Sequence, residues 1–474
     1  MVSMTLGIYI SVPFCRTKCS YCNFASDVFS RAVFERYVDR VCADIEKAPQ
    51  VAAGMGGQFD RKINSIYLGG GTPTVLDAGQ LERIFNTVRH QFEVEPGAEV
   101  TVECAPGTLT ARVVESLLRR GVNRVSLGVQ SFVDREAVAV GRLHKRATVL
   151  DEIARLRAAG ISNINIDLIA GLPHQTTESW AFSVTEAIAR GVQHVSVYML
   201  EVDEDSRLGS EVLAGGTRYH AHFVPDEDAI GDFYLAACGM LQSAGIAQYE
   251  ISNFAREGFE SRHNLKYWTR QPYFGFGVDA HSMLLANREG YDFRGREKRR
   301  VAREGLSQAL KRGPILNDLT ARVELVPFPN PIDTDFSRSL FSRADQEYTK
   351  EQGFSPRIID AVRFSTTCSL DQYMAEAKLQ CTAISHGAAL EESFFLGLRL
   401  ACGVDLKDLS EKFGDKAIDN ARVAITELVE GGMMQPCGDF VSLTTKGRLL
   451  SNEVFQRFLS PIESSKAVPT AVSR

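Results

Sequence analysis

The chain has 474 residues, 44% hydrophobic and 24% charged, with a net charge of -6. That is the composition of a globular protein of two or three domains, and it leaves no whole-chain electrostatic footprint for nucleic acid. No apolar run is long enough to span a bilayer, and the N-terminus lacks the basic and apolar regions of a secretory signal, so the chain reads as cytoplasmic. Of ten cysteines, Cys42, Cys104, Cys238, Cys368, Cys381, Cys402 and Cys437 are scattered and read as small buried hydrophobes. A reducing compartment suits them.

In chain order, Leu6 to Val12 reads as a strand. It runs into a loop carrying the other cysteines, Cys15, Cys19 and Cys22, at spacing C-x3-C-x2-C. Thiolates are the usual ligands of iron–sulfur clusters. Three of them leave one iron of a cubane without a protein ligand and open to a small molecule. A structural zinc site would need a fourth ligand from elsewhere in the chain. Disulfides would leave one cysteine of the cluster over. Residues 32–48 carry apolar side chains at helical spacing (Val33, Tyr37, Val41, Ile45). Lys62 to Leu68 is a second strand and leads into Gly69-Gly70-Gly71-Thr72-Pro73, where consecutive glycines let backbone N–H groups approach a ligand.

Further helices are expected at Leu81 to Phe92 and Thr110 to Arg119, the latter stopped by Gly121. Others fall before Ala159 and at Thr177 to Ala189. Strands are expected at Glu99 to Glu103, Arg124 to Gln130, Asn163 to Ile169 and His194 to Leu200. This alternation spells repeated βα units on a parallel sheet. Polar residues cluster at or just beyond the strand ends: Cys15, Gly71, Glu103, Gln130, Asp167 and Glu201. In parallel βα barrels that end is the catalytic rim.

The cysteine spacing is the signature of the radical S-adenosylmethionine (SAM) superfamily. Tyr9 to Cys15, Tyr21-Cys22 and Phe24 resemble the branch that holds the oxygen-independent coproporphyrinogen III oxidases and the HemW haem chaperones. The resemblance implies an α/β fold, a partial parallel (β/α)6-type radical SAM barrel. It also implies a [4Fe–4S] cluster on Cys15, Cys19 and Cys22, whose open iron takes the amino and carboxylate groups of SAM. Electron transfer, and hence an electron donor, would then cleave SAM to a 5′-deoxyadenosyl radical. Gly70, Gly71, Thr72, Glu103, Gln130, Arg142 and Asp167 fall where this branch binds SAM, with Tyr9 bordering the pocket. Glu103 would accept from the methionine ammonium, Arg142 would pair with the carboxylate, and Gln130 and Asp167 would take ribose hydroxyls. Cys104-Ala105 departs from the E-x-N-P turn expected after the third strand.

A helix is read from Asp226 to about Ala244. His220 and His222 match no motif and read as an exposed loop. His263-Asn264-Leu265-Lys266-Tyr267-Trp268 follows the H-N-x-x-Y-W pattern that separates the HemW branch from the oxidases. It makes His263 a haem contact, since neutral imidazole ligates iron; a hydrogen-bonded structural histidine is the other reading. The oxidases carry a further cysteine two residues past the third, where this chain has Phe24, and a longer segment before the cluster motif. The resemblance therefore implies a haem chaperone with haem as cargo and haemoproteins as acceptors, in transient contact with a membrane; the alternative is oxidative decarboxylation of coproporphyrinogen III. Four segments are expected: 1–290, the barrel with its extension; 291–360, a basic, proline-bearing insertion; 361–460, a C-terminal winged-helix-like domain; and 461–474, a tail.

Overall fold

In β1 (Leu6–Val12) every residue is buried, as expected of a strand covered on both faces. Leu6, Ile8, Ile10 and Val12 join the main apolar core, whereas Tyr9 packs on the opposite face with Tyr67 and Ala280. The same alternation recurs in β2 (Lys62–Gly70), β3 (Glu93–Cys104), β4 (Arg124–Gln130), β5 (Asn163–Ala170) and β6 (His194–Met199). These strands pair in parallel, each with its sequence neighbour. The structure, a computed structural model, describes residues 5–204, 206–287 and 358–459.

Amphipathic helices cover the apolar side of the sheet. Arg31–Glu46 buries Phe34, Val38 and Val41, and Ala78–Gln91 buries Leu81, Ile84, Phe85 and Val88. Asp77 starts the second of these through a reciprocal cap: its side chain accepts from Gln80 N at 2.9 Å, while Gln80 Oε1 accepts from Asp77 N at 3.0 Å. Ala111–Arg119, Arg146–Ala158 and Thr177–Ala189 complete the covering layer. The expected α/β partial barrel is therefore present, with β1 to β6 as its parallel strands.

Short strands extend it at both edges. β7 (Ala247–Gln248) and β8 (Asn253–Ala255) add antiparallel to β6. β9 (Tyr273–Phe276) pairs in parallel with β1, and β10 (His281–Leu285), β11 (Ile359–Ser365) and β12 (Gln380–Ser385) follow antiparallel. The result is a 12-stranded sheet. No strand was expected between 245 and 287, because strands of two to five residues are too short to show a period. The barrel sheet also runs to Ser385, past position 361 where the C-terminal domain was expected to begin. The expected insertion lies outside the described residues except at Ile358–Asp360, and the whole of the expected tail does too.

The C-terminal module begins with the helix His386–Gly397. It continues through Leu406–Phe413, Asp415–Glu430 and a three-stranded sheet of β13 (Val404–Asp405), β14 (Met434–Cys437) and β15 (Phe440–Leu443). Two short helices, Thr445–Leu449 and Ser451–Gln456, parted at Leu450, follow the sheet. Glu392 ties the module to the barrel: it accepts from Arg270 Nε and from Arg363 Nη1, each at 2.9 Å, and all three side chains are at most 9% exposed. The two guanidiniums hold its carboxyl below the usual range against the opposing effect of burial. Glu392→Ala strands two buried cations and is expected to cost ~3–5 kcal/mol in a denaturant titration; a loss below ~1 kcal/mol would show that the tie is dispensable.

Candidate functional site

The C-terminal ends of β1 to β6 surround one cleft, counted at about 1410 Å³ out to the solvent. Cys15, Cys19 and Cys22 line it, together with Gly70, Gly71, Thr72, Glu103, Gln130, Arg142 and Asp167. Cys104, Leu143, His144, Tyr198 and Glu201 also reach it. Tyr9 does not: its ring is 2% exposed and lies beneath the cleft floor against Tyr67, at 6.2 Å between centroids.

The cysteine loop is anchored at its edges. Cys15 N donates to Asp27 O at 3.0 Å and Ser20 N to Val140 O at 3.2 Å. Gly71 follows β2 against this loop, and its N–H donates to Val12 O at 2.8 Å. A side chain there would meet Phe14 O at 2.8 Å, Val12 O at 2.9 Å and Cys15 Sγ at 3.0 Å, so only glycine fits. Gly70 has φ +101°, the left-handed region that glycine enters without strain. Burial pushes the Cys22 thiol up to about 11; coordination reverses this, because a ligating thiol is deprotonated. Among the described residues, no three His, Cys, Asp or Glu side chains converge as a single metal ion requires. Three thiols serving separate corners of a cubane need not converge so closely.

Arg142 Nη1 donates to Cys19 Sγ at 3.6 Å, and Nη2 donates to Gly128 O. Among the described residues its buried Nε has no partner, and neither has the buried Oε1 of Gln130. Gln130 itself sits at φ +69°, strained for a side-chain-bearing residue. Buried polar atoms left open at a cleft are what a polar ligand would satisfy. Asp167 accepts from Ser126 Oγ at 3.1 Å and from Asn165 Nδ2 at 2.7 Å. Burial raises its pKa, an effect these hydrogen bonds oppose. Glu103 accepts from Tyr67 OH at 2.6 Å. Burial lifts its pKa to about 8, while the bonds from Tyr67 and from the Gly70 backbone pull it down. The donor set therefore fits both groups: thiols beside a glycine cradle for a cluster, and carboxylates with open polar atoms for SAM.

His263 lies elsewhere. It is 1% exposed, inside the barrel, with Nδ1 at 2.9 Å from Ser65 Oγ and Nε2 at 2.9 Å from Tyr267 OH. Its ring stacks on Tyr67 at 5.4 Å. Glu99 sets this position by accepting from the N–H groups of Arg262 at 3.0 Å and His263 at 3.2 Å. In this arrangement neither ring nitrogen is offered to a porphyrin iron. His220 and His222 are partly exposed as expected, but His220 is engaged, its Nδ1 lying 3.3 Å from His174 Nε2. The sequence reading missed Tyr67 and Tyr198. The signal for Tyr67 was the alternation Ser65, Tyr67, Gly69 in β2, which puts all three on the face of Glu103.

The family model described as the radical SAM superfamily matches residues 9–184, and that described as the HemN C-terminal domain matches 384–450. The chain is thus a radical SAM protein with a HemN-type C-terminal domain. It is 30% identical to the heme chaperone HemW of Bacillus subtilis (strain 168) over 455 residues, 96% of this chain and 99% of that one. It is 32% identical to heme chaperone HemW of Escherichia coli (strain K12) over 280 residues, 59% of this chain and 70% of that one. The chain belongs to the heme chaperone HemW family. Coproporphyrinogen III oxidase (HemN) from Escherichia coli, a radical SAM enzyme, shares the fold at a TM-score of 0.69 and 19% identity, over 96% of this chain and 90% of that one.

Gly71→Ala is expected to cut iron and sulfide uptake on anaerobic reconstitution several-fold while leaving the circular dichroism spectrum unchanged. Uptake equal to that of the unaltered protein would show that the cradle does not shape the cluster site.

Proposed function

We propose that this chain binds haem and passes it to acceptor haemoproteins. Cys15, Cys19 and Cys22 would hold a [4Fe–4S] cluster, and Gly70, Gly71, Thr72, Glu103, Gln130, Arg142 and Asp167 would bind SAM. The observation that carries the reading is the similarity to a heme chaperone HemW along 99% of that protein's length. Phe24, which lines the cleft where the oxidases have a cysteine, points the same way. The cluster, once held, would supply one electron to SAM.

The chain's own residues have separable tasks. Glu103 would receive the SAM ammonium and Arg142 the carboxylate, turning from the Gly128 carbonyl to do so. Gln130 and Asp167 would hold the ribose. Tyr9, beneath the floor, would support the pocket through Tyr67. For haem, the H-N-x-x-Y-W motif makes His263 the proposed contact. Burial holds its pKa down at about 3, so it is in the neutral form that ligates iron. Ligation would require Nε2 to leave Tyr267. An electron donor, transient membrane contact and a cytoplasmic location complete the proposal; among the described residues no helix is long and apolar enough to cross a membrane.

The test pairs two assays on one anaerobically reconstituted sample. Haem binding is followed by absorption and transfer by mixing with an apo-haemoprotein, while coproporphyrinogen III, SAM and a reductant are assayed for carbon dioxide. The expected result is haem uptake and transfer without decarboxylation, with His263→Ala weakening uptake at least ten-fold. Decarboxylation that Cys19→Ala abolishes, with no haem uptake, would make the protein a coproporphyrinogen oxidase instead. An unchanged haem spectrum in His263→Ala would remove that residue from the haem site.

A further inference from the structure

Tyr67, which has no assigned role, bonds directly to a carboxylate of the cleft. It is 7% exposed, and its hydroxyl donates to Glu103 Oε1 at 2.6 Å. Its ring is wedged between Tyr9 and His263, at 6.2 and 5.4 Å, and Ser65 and Tyr267 fix the His263 ring in turn. The hydroxyl therefore has little freedom to turn from Glu103. We infer that Tyr67 is a positioning residue for SAM: its hydroxyl favours the charged form of the Glu103 carboxylate and orients it to receive the SAM ammonium. This rests on the SAM site proposed above.

The surroundings of Glu103 explain why such help is needed. Burial disfavours its charge most strongly, and Asp167 on β5 adds repulsion. Arg124 on β4 attracts it, and the Gly70 N–H and Tyr67 OH bond it directly. Tyr9 on β1, Tyr198 on β6 and Tyr267 on the helix Arg262–Trp268 also feel its charge, as neutral phenols. Arg124 is itself 2% exposed and reaches Glu103 only through space. The phenol is therefore the one side chain that bonds this carboxylate among the described contacts. Removing it raises the pKa of Glu103 further, so less of the carboxylate is charged at neutral pH.

The experiment measures SAM affinity by equilibrium dialysis on reconstituted protein, with the cluster left oxidised so that no SAM is consumed. Tyr67→Phe keeps the ring and its packing. It is expected to weaken SAM about ten-fold at pH 7, as loss of a hydrogen bond to a charged group would, with the deficit shrinking as pH rises toward 9. In a Glu103→Gln background the same change should have no further effect. A deficit equal at every pH, or one that persists beside Glu103→Gln, would assign Tyr67 a packing role only and overturn the inference. So would an affinity matching that of the unaltered protein. Failure of the unaltered protein to bind SAM at any pH would instead overturn the proposed SAM site, and this inference with it.

Discussion

The structure depends on burying polar side chains along the inner face of a parallel sheet. Glu99, Glu103, Arg124, Asn165, Asp167, His194, His263 and Tyr67 all project there. An isolated charge in such a place is costly unless it is paired or hydrogen-bonded. Several of these groups are locked by their neighbours: Asp167 by Asn165 and Ser126, Glu103 by Tyr67, Glu99 by the start of the helix that carries His263. His194 bonds Asn165 at 2.6 Å and Tyr249 at 3.0 Å. At its upper end, where the cleft begins, buried atoms of Gln130 and Arg142 lack a partner among the described residues. Buried atoms left open beside the cleft suit the rim to a polar ligand.

The lower network also joins barrel to accessory module. Trp268 lies under the guanidinium of Arg399, 4.4 Å from ring centre to the carbon, and Arg399 is within 4.0 Å of Glu250. Ile251 N donates to Arg399 O at 3.1 Å, and Ala401 N to Tyr249 O at 2.9 Å. The segment from His263 to Trp268 therefore faces two ways, toward the cleft through Tyr67 and toward the C-terminal module through Trp268. Its residue pattern suits this structural position as well as ligand contact.

Much of this could be read from sequence because the relevant signals are local. Strong β-propensity and regular βα alternation located β1 to β6 and four of their covering helices; Leu6–Val12, Arg124–Gln130 and Thr177–Ala189 match their expected bounds, whereas β3 starts at Glu93, six residues before the expected Glu99. Rim residues follow from strand ends, so Glu103, Gln130, Asp167 and Glu201 were placed without knowing any contact. The edge strands β7 to β10 escaped because they are held by pairing with distant partners, not by a periodic pattern of their own. The inner surroundings of His263 escaped for the same reason: Ser65 is 198 residues away in sequence. Tyr9 was expected at the pocket wall, but strand alternation sets its depth below the rim, and only the three-dimensional stagger of the strands reveals it.

The central claim is that three cysteines leave one cluster iron facing the groups that would bind SAM. Electron paramagnetic resonance of the reconstituted, reduced protein, recorded with and without SAM, tests it most directly. The account predicts a cubane signal whose g-values shift when SAM is added, because SAM enters the coordination sphere of the open iron. A cubane signal indifferent to saturating SAM, or a purified protein that carries zinc in place of iron at the three cysteines, would contradict it.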